Sequence, residues 1–157
     1  LTQNDLRPAR DTSASVAPSP PLRQQVAALP WRRTDRLEIM LVSSRESRRW
    51  IIPKGWPMAG RRACAAAAIE ALEEAGLLGA IEETPLGHFN YSKKFARGKP
   101  APCRVEVFAL RVVRQRARWP EKHQRETRWF PAREAAQIVS DPGLGDLIRR
   151  FVAARDA

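Results

Sequence analysis

Several classes of protein are excluded by what this chain has little of. Only two cysteines are present, Cys64 and Cys103. They stand far apart with no Cys-x-x-Cys spacing, so neither a zinc site nor a disulfide framework is indicated. The two histidines, His88 and His123, are isolated and share no ligand spacing. No apolar run reaches the length needed to cross a bilayer. The first residues lack the charged-then-apolar build of a secretion signal, and the expected setting is cytoplasmic. Acidic residues are the scarcer charge: 17 Asp and Glu against 28 Lys and Arg leave a net charge of +11. Such an excess points to an anionic partner. RNA is one candidate, but no helix-turn-helix, zinc-finger or ribonucleoprotein signature is visible, and the basic residues are spread along the chain. A highly phosphorylated small molecule accounts for the charge equally well.

What is present is organised around one stretch. Trp50-Ile51-Ile52-Pro53-Lys54-Gly55-Trp56-Pro57 reads as a short buried strand running into a tight loop, and Arg61 to Leu77 as a helix ending at Gly76. Glu70, Glu73 and Glu74 stand at i, i+3 and i+4, so they share one helical face and repel one another by about 0.2–0.5 kcal/mol per pair. On an alanine-rich helix such a cluster is ordinarily a solvated face. Beside a strand and a glycine loop it reads as a cation site, with Mg2+ the expected ion because it binds through one or two carboxylates plus substrate phosphates; Mn2+ is the alternative. Cys64, Ala65, Ala68, Ile69 and Leu72 are expected to pack on the core. Trp56 is a candidate wall of the substrate cleft, whereas Trp31, Trp50 and Trp129 read as core anchors.

The flanking sequence supplies the rest of a single domain. Residues 1–21 are rich in proline and serine and read as a flexible N-terminal tail; residues 22–157 form the domain. Strands are expected over Gln24–Trp31, Leu37–Val42, Trp50–Ile52, one or two within Gly79–Tyr91, Arg104–Val113 and Thr127–Phe130. Ser92–Pro102 is a basic hairpin loop and Trp119–Gln124 a charged one. Pro131 is expected in the first turn of a helix running to Val139. Asp141-Pro142 opens a second helix with Leu144, Leu147, Ile148, Phe151 and Val152 on one face. The fold class is α/β of the α+β type, a mixed β-sheet sandwiched between helices.

Gly55 to Leu77 resembles the Nudix box. Gly55, Glu70, Ala71, Glu73, Glu74, Gly76 and Leu77 fall at its spacing, while Arg61 replaces its first glutamate and Ile69 its arginine. The resemblance extends over roughly residues 23–152. The runs Arg48–Gly55, Trp119-Pro120-Glu121 and Arg128-Trp129-Phe130 are similar to the diphosphoinositol polyphosphate phosphohydrolase branch. That likeness implies a metal-dependent hydrolase of phosphoanhydride bonds, acting on a diphosphoinositol polyphosphate or a dinucleoside polyphosphate. It further implies that Glu70 and Glu74 hold the metal with a backbone carbonyl at Lys54 or Gly55, that Glu73 is the general base, and that Arg23, Arg45, Lys93, Lys94 and Arg125 ring the phosphates. The departures at Arg61 and Ile69 leave a slowly turning Nudix-fold binding module as an alternative, and the charge leaves a basic RNA-binding protein as another.

Overall fold

The first two strands carry unbroken apolar runs because both of their faces are covered. In β1 (Arg23–Arg33) the residues from Gln25 to Trp31 are buried, and every residue of β2 (Leu37–Ser43) is. The computed structural model describes residues 20–95 and 97–156; residues 1–19 of the expected tail lie outside the described residues. The chain continues through β3 (Trp50–Ile51), β4 (Lys54–Gly55), α1 (Ala63–Ala75), β5 (Leu77–Ile81), β6 (Gly87–Lys93), β7 (Ala101–Gln115), β8 (Thr127–Pro131), α2 (Ala132–Ile138) and α3 (Pro142–Asp156). The strands form one mixed eight-stranded sheet. Side chains alternate across it: Ala27, Leu29 and Trp31 face the layer of α2 and α3, while Val26 and Ala28 face α1. The expected sheet between helices is therefore observed. No helix of the described residues is long and apolar enough to cross a membrane.

One irregularity in this sheet makes room for a site. β1 runs parallel to β7 from Arg23 to Trp31, but pairs with β2 only at its far end, from Trp31 to Arg33. In the opening between them β3 pairs with β2 at Val42 and Ser43, and β4 pairs with β1 at Val26 and Ala27. The Ala28 amide donates to the Pro53 carbonyl across 3.0 Å. The segment from Trp50 to Gly55 is thus a wedge whose tip, Gly55, is held on the central strand.

The core-facing side of α1 differs from expectation. Cys64, Ala66, Ala67, Ala71, Glu74 and Ala75 are buried, whereas Ala65, Ala68, Ile69 and Leu72 are only partly so. The helix is turned so that its smallest side chains meet the sheet, carrying Glu74 inward with them. Ile69 accordingly does not serve as a core residue, and the apolar arc favoured from hydrophobicity alone is not the one used. The helix ends at Gly76 with a positive φ of 69°, and Leu77 opens β5 rather than closing the helix. A strap from Arg116 to Glu121 then takes up the carbonyls left over at this end. Arg116 N–H donates to Gly76 O at 2.8 Å, Trp119 Nε1–H to Glu74 O at 3.2 Å, and Glu121 N–H to Glu73 O at 3.0 Å.

Two boundaries also move. The β6–β7 hairpin keeps its ladder to Lys93 and Ala101, so residues 92, 93, 101 and 102 of the expected loop belong to strands. Pro131 closes β8, and α2 begins at Ala132.

At Gly76 an added Cβ would lie 2.3 Å from the Trp119 ring. Gly76→Ala therefore combines a left-handed conformation with a clash, and about 2–4 kcal/mol of stability should be lost. Urea denaturation followed by tryptophan fluorescence measures this, and a loss below about 1 kcal/mol would mean that the strap is not packed on the helix end.

Candidate active site

The wedge, α1, the strap and the end of β6 enclose a cavity of about 670 Å3. Each side chain in it is there for a local reason. Glu70 lies against Gly55, where an added Cβ would stand 2.2 Å from Oε1, so no other residue at position 55 leaves this carboxylate in place. Glu74, one turn later, is only 4% exposed. Its Oε1 lies 3.4 Å from Arg125 Nη2, and its Oε2 is buried without a hydrogen-bond partner. Arg125 is itself enclosed, with Nε 3.3 Å from Glu121 Oε1 and Nη1 donating to Ser43 O at 3.1 Å. Glu121 reaches the cavity because the strap fixes its backbone to the end of α1.

The electrostatics follow from this crowding. Burial first, then the charges of Glu73 and Glu121, pushes Glu70 up to about 7. Burial pushes Glu74 up to about 8; Arg125 opposes the rise, and Glu70 and Glu121 add to it. On the facing wall, burial lowers the Lys54 ammonium, with Glu74 acting in the opposite direction. Lys54 Nζ sits 5.0 Å from the centre of the Tyr91 ring. It has neither a hydrogen-bond nor an ion-pair partner among the described residues.

Among the described residues no three His, Cys, Asp or Glu side chains converge closely enough to hold an ion on their own. Of the three glutamates read as one cation site, the two that the resemblance assigns to the metal are the two that meet here. Glu70 and Glu74 line the cavity and Glu73 does not, because a residue three positions after Glu70 and one before Glu74 is rotated toward the helix flank. The pair still fits a divalent cation. One oxygen of Glu74 is buried and unpartnered, and both carboxylates are held where their own charge is unfavourable. Two carboxylates, with water and substrate oxygens completing the shell, are a donor set that Mg2+ accepts.

Of the residues expected around the phosphates, Arg45, Lys93 and Lys94 line the cavity, as do Lys54 and Gly55. Arg23 does not; its guanidinium lies 4.6 Å from the centre of the Phe95 ring. Arg125 lines the cavity, but its guanidinium is committed to Glu74, Glu121 and Ser43, and so orients carboxylates rather than waiting for a phosphate. Two contributors were missed from sequence. The Lys54 side chain is one, since the resemblance implies only a backbone carbonyl at that position. Glu121 lies in what reads as a charged loop, and its signals are the i, i+4 spacing to Arg125 and its place in the Trp119-Pro120-Glu121 run.

Glu70 and Glu74 bind protons more tightly in the folded than in the unfolded chain. Their contribution to stability is complete below the ordinary carboxylate range and is lost as pH rises through about 7 and about 8. Metal-free protein should melt at progressively lower temperature from about pH 5 to about pH 9. Glu74→Gln should flatten that slope and gain about 2–4 kcal/mol at the alkaline end. Added Mg2+ should raise the melting temperature of the parent at alkaline pH, and that of the variant far less. A flat profile in the parent would contradict the buried-carboxylate arrangement.

Comparison with known proteins gives a consistent result. The model of the NUDIX domain matches residues 21–151. Among curated relatives, the chain is 34% identical over 121 residues to Nudix hydrolase 12, mitochondrial, of Arabidopsis thaliana, covering 75% of this chain and 60% of that protein. It is 32% identical over 123 residues to Nudix hydrolase 13, mitochondrial, of the same plant, covering 75% and 61%. The chain thus spans about three fifths of the length of these relatives. Among solved structures it is similar to a C. elegans Ap4A hydrolase in a binary complex, with TM-score 0.64, 23% identity and 85% and 98% of the two chains covered. It is also similar to the NUDIX domain of Shewanella oneidensis NrtR complexed with ADP ribose, with TM-score 0.62, 15% identity and 83% and 88% covered. At these identities the structural likenesses speak for the fold alone. With the domain model covering most of its length and a box helix that presents Glu70 and Glu74 to one cavity, this chain belongs to the Nudix family.

Proposed function

We propose that this protein is a metal-dependent hydrolase of phosphoanhydride bonds in small polyphosphorylated molecules. The observation that carries the reading is the composition of one cavity, with Glu70 and Glu74 crowded on one wall and Lys54, Arg45, Lys93 and Lys94 around the rest. Carboxylates held at a charge they resist are suited to a cation, and a half-buried, unpartnered ammonium is suited to a phosphate. Nudix hydrolases generally use divalent cations; here Glu70 and Glu74 would hold Mg2+ or Mn2+ with a carbonyl of Lys54 or Gly55. Such an ion, when bound, neutralises phosphoryl oxygens and lowers the pKa of water.

The chain's own residues do the remaining work. Lys54 places its charge beside the scissile phosphate from within the cavity. Arg45, Lys93 and Lys94 bind the outer phosphates, with the guanidinium able to make paired contacts. Arg125 keeps Glu74 and Glu121 aimed at the same space. We assign the general base to Glu121 in place of Glu73. It lines the cavity and lies close enough to raise both Glu70 and Glu74, and Arg125 and Arg45 hold it through Oε1. Water attacks phosphorus, Glu121 accepts its proton, and the bond to the bridging oxygen breaks. Arg61 and Ile69 do not line the cavity, so the two departures from the box leave this set intact and favour turnover over mere binding.

Substrate choice within the polyphosphates turns on Trp56. Resemblance to the diphosphoinositol polyphosphate phosphohydrolase branch supports an inositol pyrophosphate. Trp56, however, lines the cavity, is 41% exposed, and has Lys93 Nζ 6.0 Å from its ring centre. A flat apolar face beside a cation suits a nucleobase joined to phosphate, and favours a dinucleoside polyphosphate.

Turnover in Mg2+ of diadenosine tetraphosphate and an inositol pyrophosphate tests the activity. Absence of product from both would leave the binding-module reading, and salt-sensitive RNA affinity without either ligand binding would favour the basic RNA-binding protein. Glu121→Gln should lower kcat by about 10²–10⁴, and Glu73→Gln by less than about tenfold. The reverse order would return the base to Glu73. In a separate series, Trp56→Ala should raise KM for diadenosine tetraphosphate by about tenfold while leaving the inositol pyrophosphate unchanged. An equal rise for both substrates would sink the stacking role.

A further inference from the structure

A second cavity, of about 540 Å3, lies at the opposite end of the sheet. It is bounded by the end of β1, the approach to β6 and the C-terminal half of α3. Measured along β1, Trp31 is six residues beyond Gln25 of the carboxylate cavity, about 20 Å away. Its walls differ in kind from those of the first. Trp31, Phe151, Leu86 and Leu147 make it apolar, Arg33, Arg150 and Arg155 make it cationic, and no carboxylate lines it.

The cationic wall is already ordered. The Arg155 guanidinium lies 4.2 Å from the centre of the Trp31 ring and 4.8 Å from that of Phe151, with Nη2 fixed by Glu82 Oε1 at 2.8 Å. Trp31 and Phe151 meet edge to face at 5.9 Å. Arg33 has only a loose, exposed pairing with Asp156 at 3.7 Å, and Arg150 has no ion-pair partner among the described residues. A further feature is independent of charge. The Trp31 indole N–H is buried and has no acceptor among the described residues, a state that costs about 1–3 kcal/mol.

We infer that this cavity is a binding site for a small organic anion, with a flat apolar body stacked on the Arg155 guanidinium, which covers Trp31 and Phe151, and a carboxylate or phosphate head between Arg33 and Arg150. The volume falls in the range of small-ligand sites, about 300–1,000 Å3. The chemistry matches as well, since apolar walls supply area and guanidinium groups supply charge-assisted hydrogen bonds in fixed geometry.

The indole is also the reporter. In full-length protein labelled with 15N, the Trp31 side-chain signal is identified by its loss in Trp31→Phe. Titration with 2-naphthoate and with 2-naphthyl phosphate should shift that signal saturably, and the tighter of the two names the head group. The uncharged 2-naphthol should bind about tenfold more weakly or worse. The double variant Arg33→Gln, Arg150→Gln alters only exposed side chains and should weaken both anions by about tenfold or more. The inference is overturned if neither anion shifts the Trp31 signal, if 2-naphthol binds as well, or if the double variant binds unchanged.

Discussion

The carboxylate of Glu74 is taken out of water on the core side of α1, and the arrangement of the site follows from what that requires. A buried carboxylate is costly unless a donor meets it, and Arg125 is that donor. Arg125 in turn is held by the Ser43 carbonyl at the end of β2 and by Glu121. Glu121 is available only because its backbone is tied to the last turn of α1. Helix end, strap and strand end are thus joined through one guanidinium. Even so, one oxygen of Glu74 remains unpartnered, so the network is incomplete at the point where a cation would enter.

This incompleteness sets stability against function. Replacing Glu74 by a neutral residue relieves the crowding and removes the reason for the cavity. A chain with net charge +11 that nevertheless gathers Glu70, Glu74 and Glu121 in one place has separated its charges by role. Carboxylates form the floor, and cations surround the mouth. A polyphosphate with its cation is complementary to both layers, whereas a simple polyanion is complementary only to the second.

The sheet explains why there is space at both ends. β1 is gripped along most of its length by parallel pairing with β7, so it can part from β2 without loosening the core. At one end the wedge from Trp50 to Gly55 fills the gap and carries Gly55 to Glu70. At the other end β1 runs out beneath α3, where Trp31 and Arg155 stack. The two cavities share a central strand and differ in chemistry because different layers close them.

How much of this was legible depended on whether the signal was local. The sheet between helices could be read from apolar runs and turn residues, since period and punctuation are properties of neighbouring positions. The box spacing brought Gly55, Glu70 and Glu74 together correctly, because a helix of known pitch following a glycine loop leaves little freedom. The face of α1 could not be read. Hydrophobicity favoured Ile69 and Leu72, while the sheet selected the smaller alanines that let the helix lie close. Glu73 and Glu74 are adjacent and chemically identical, and only that rotation decided which enters the cavity. Nor could a sequence reading assign Glu121, Arg125 or the Lys54 side chain. Their roles depend on a strap that crosses to α1 from a segment distant in the chain, and on burial that no local pattern records. Residue types and their spacing determined the family and the carboxylate pair; the long-range packing of strap and wedge decided which charges face one another.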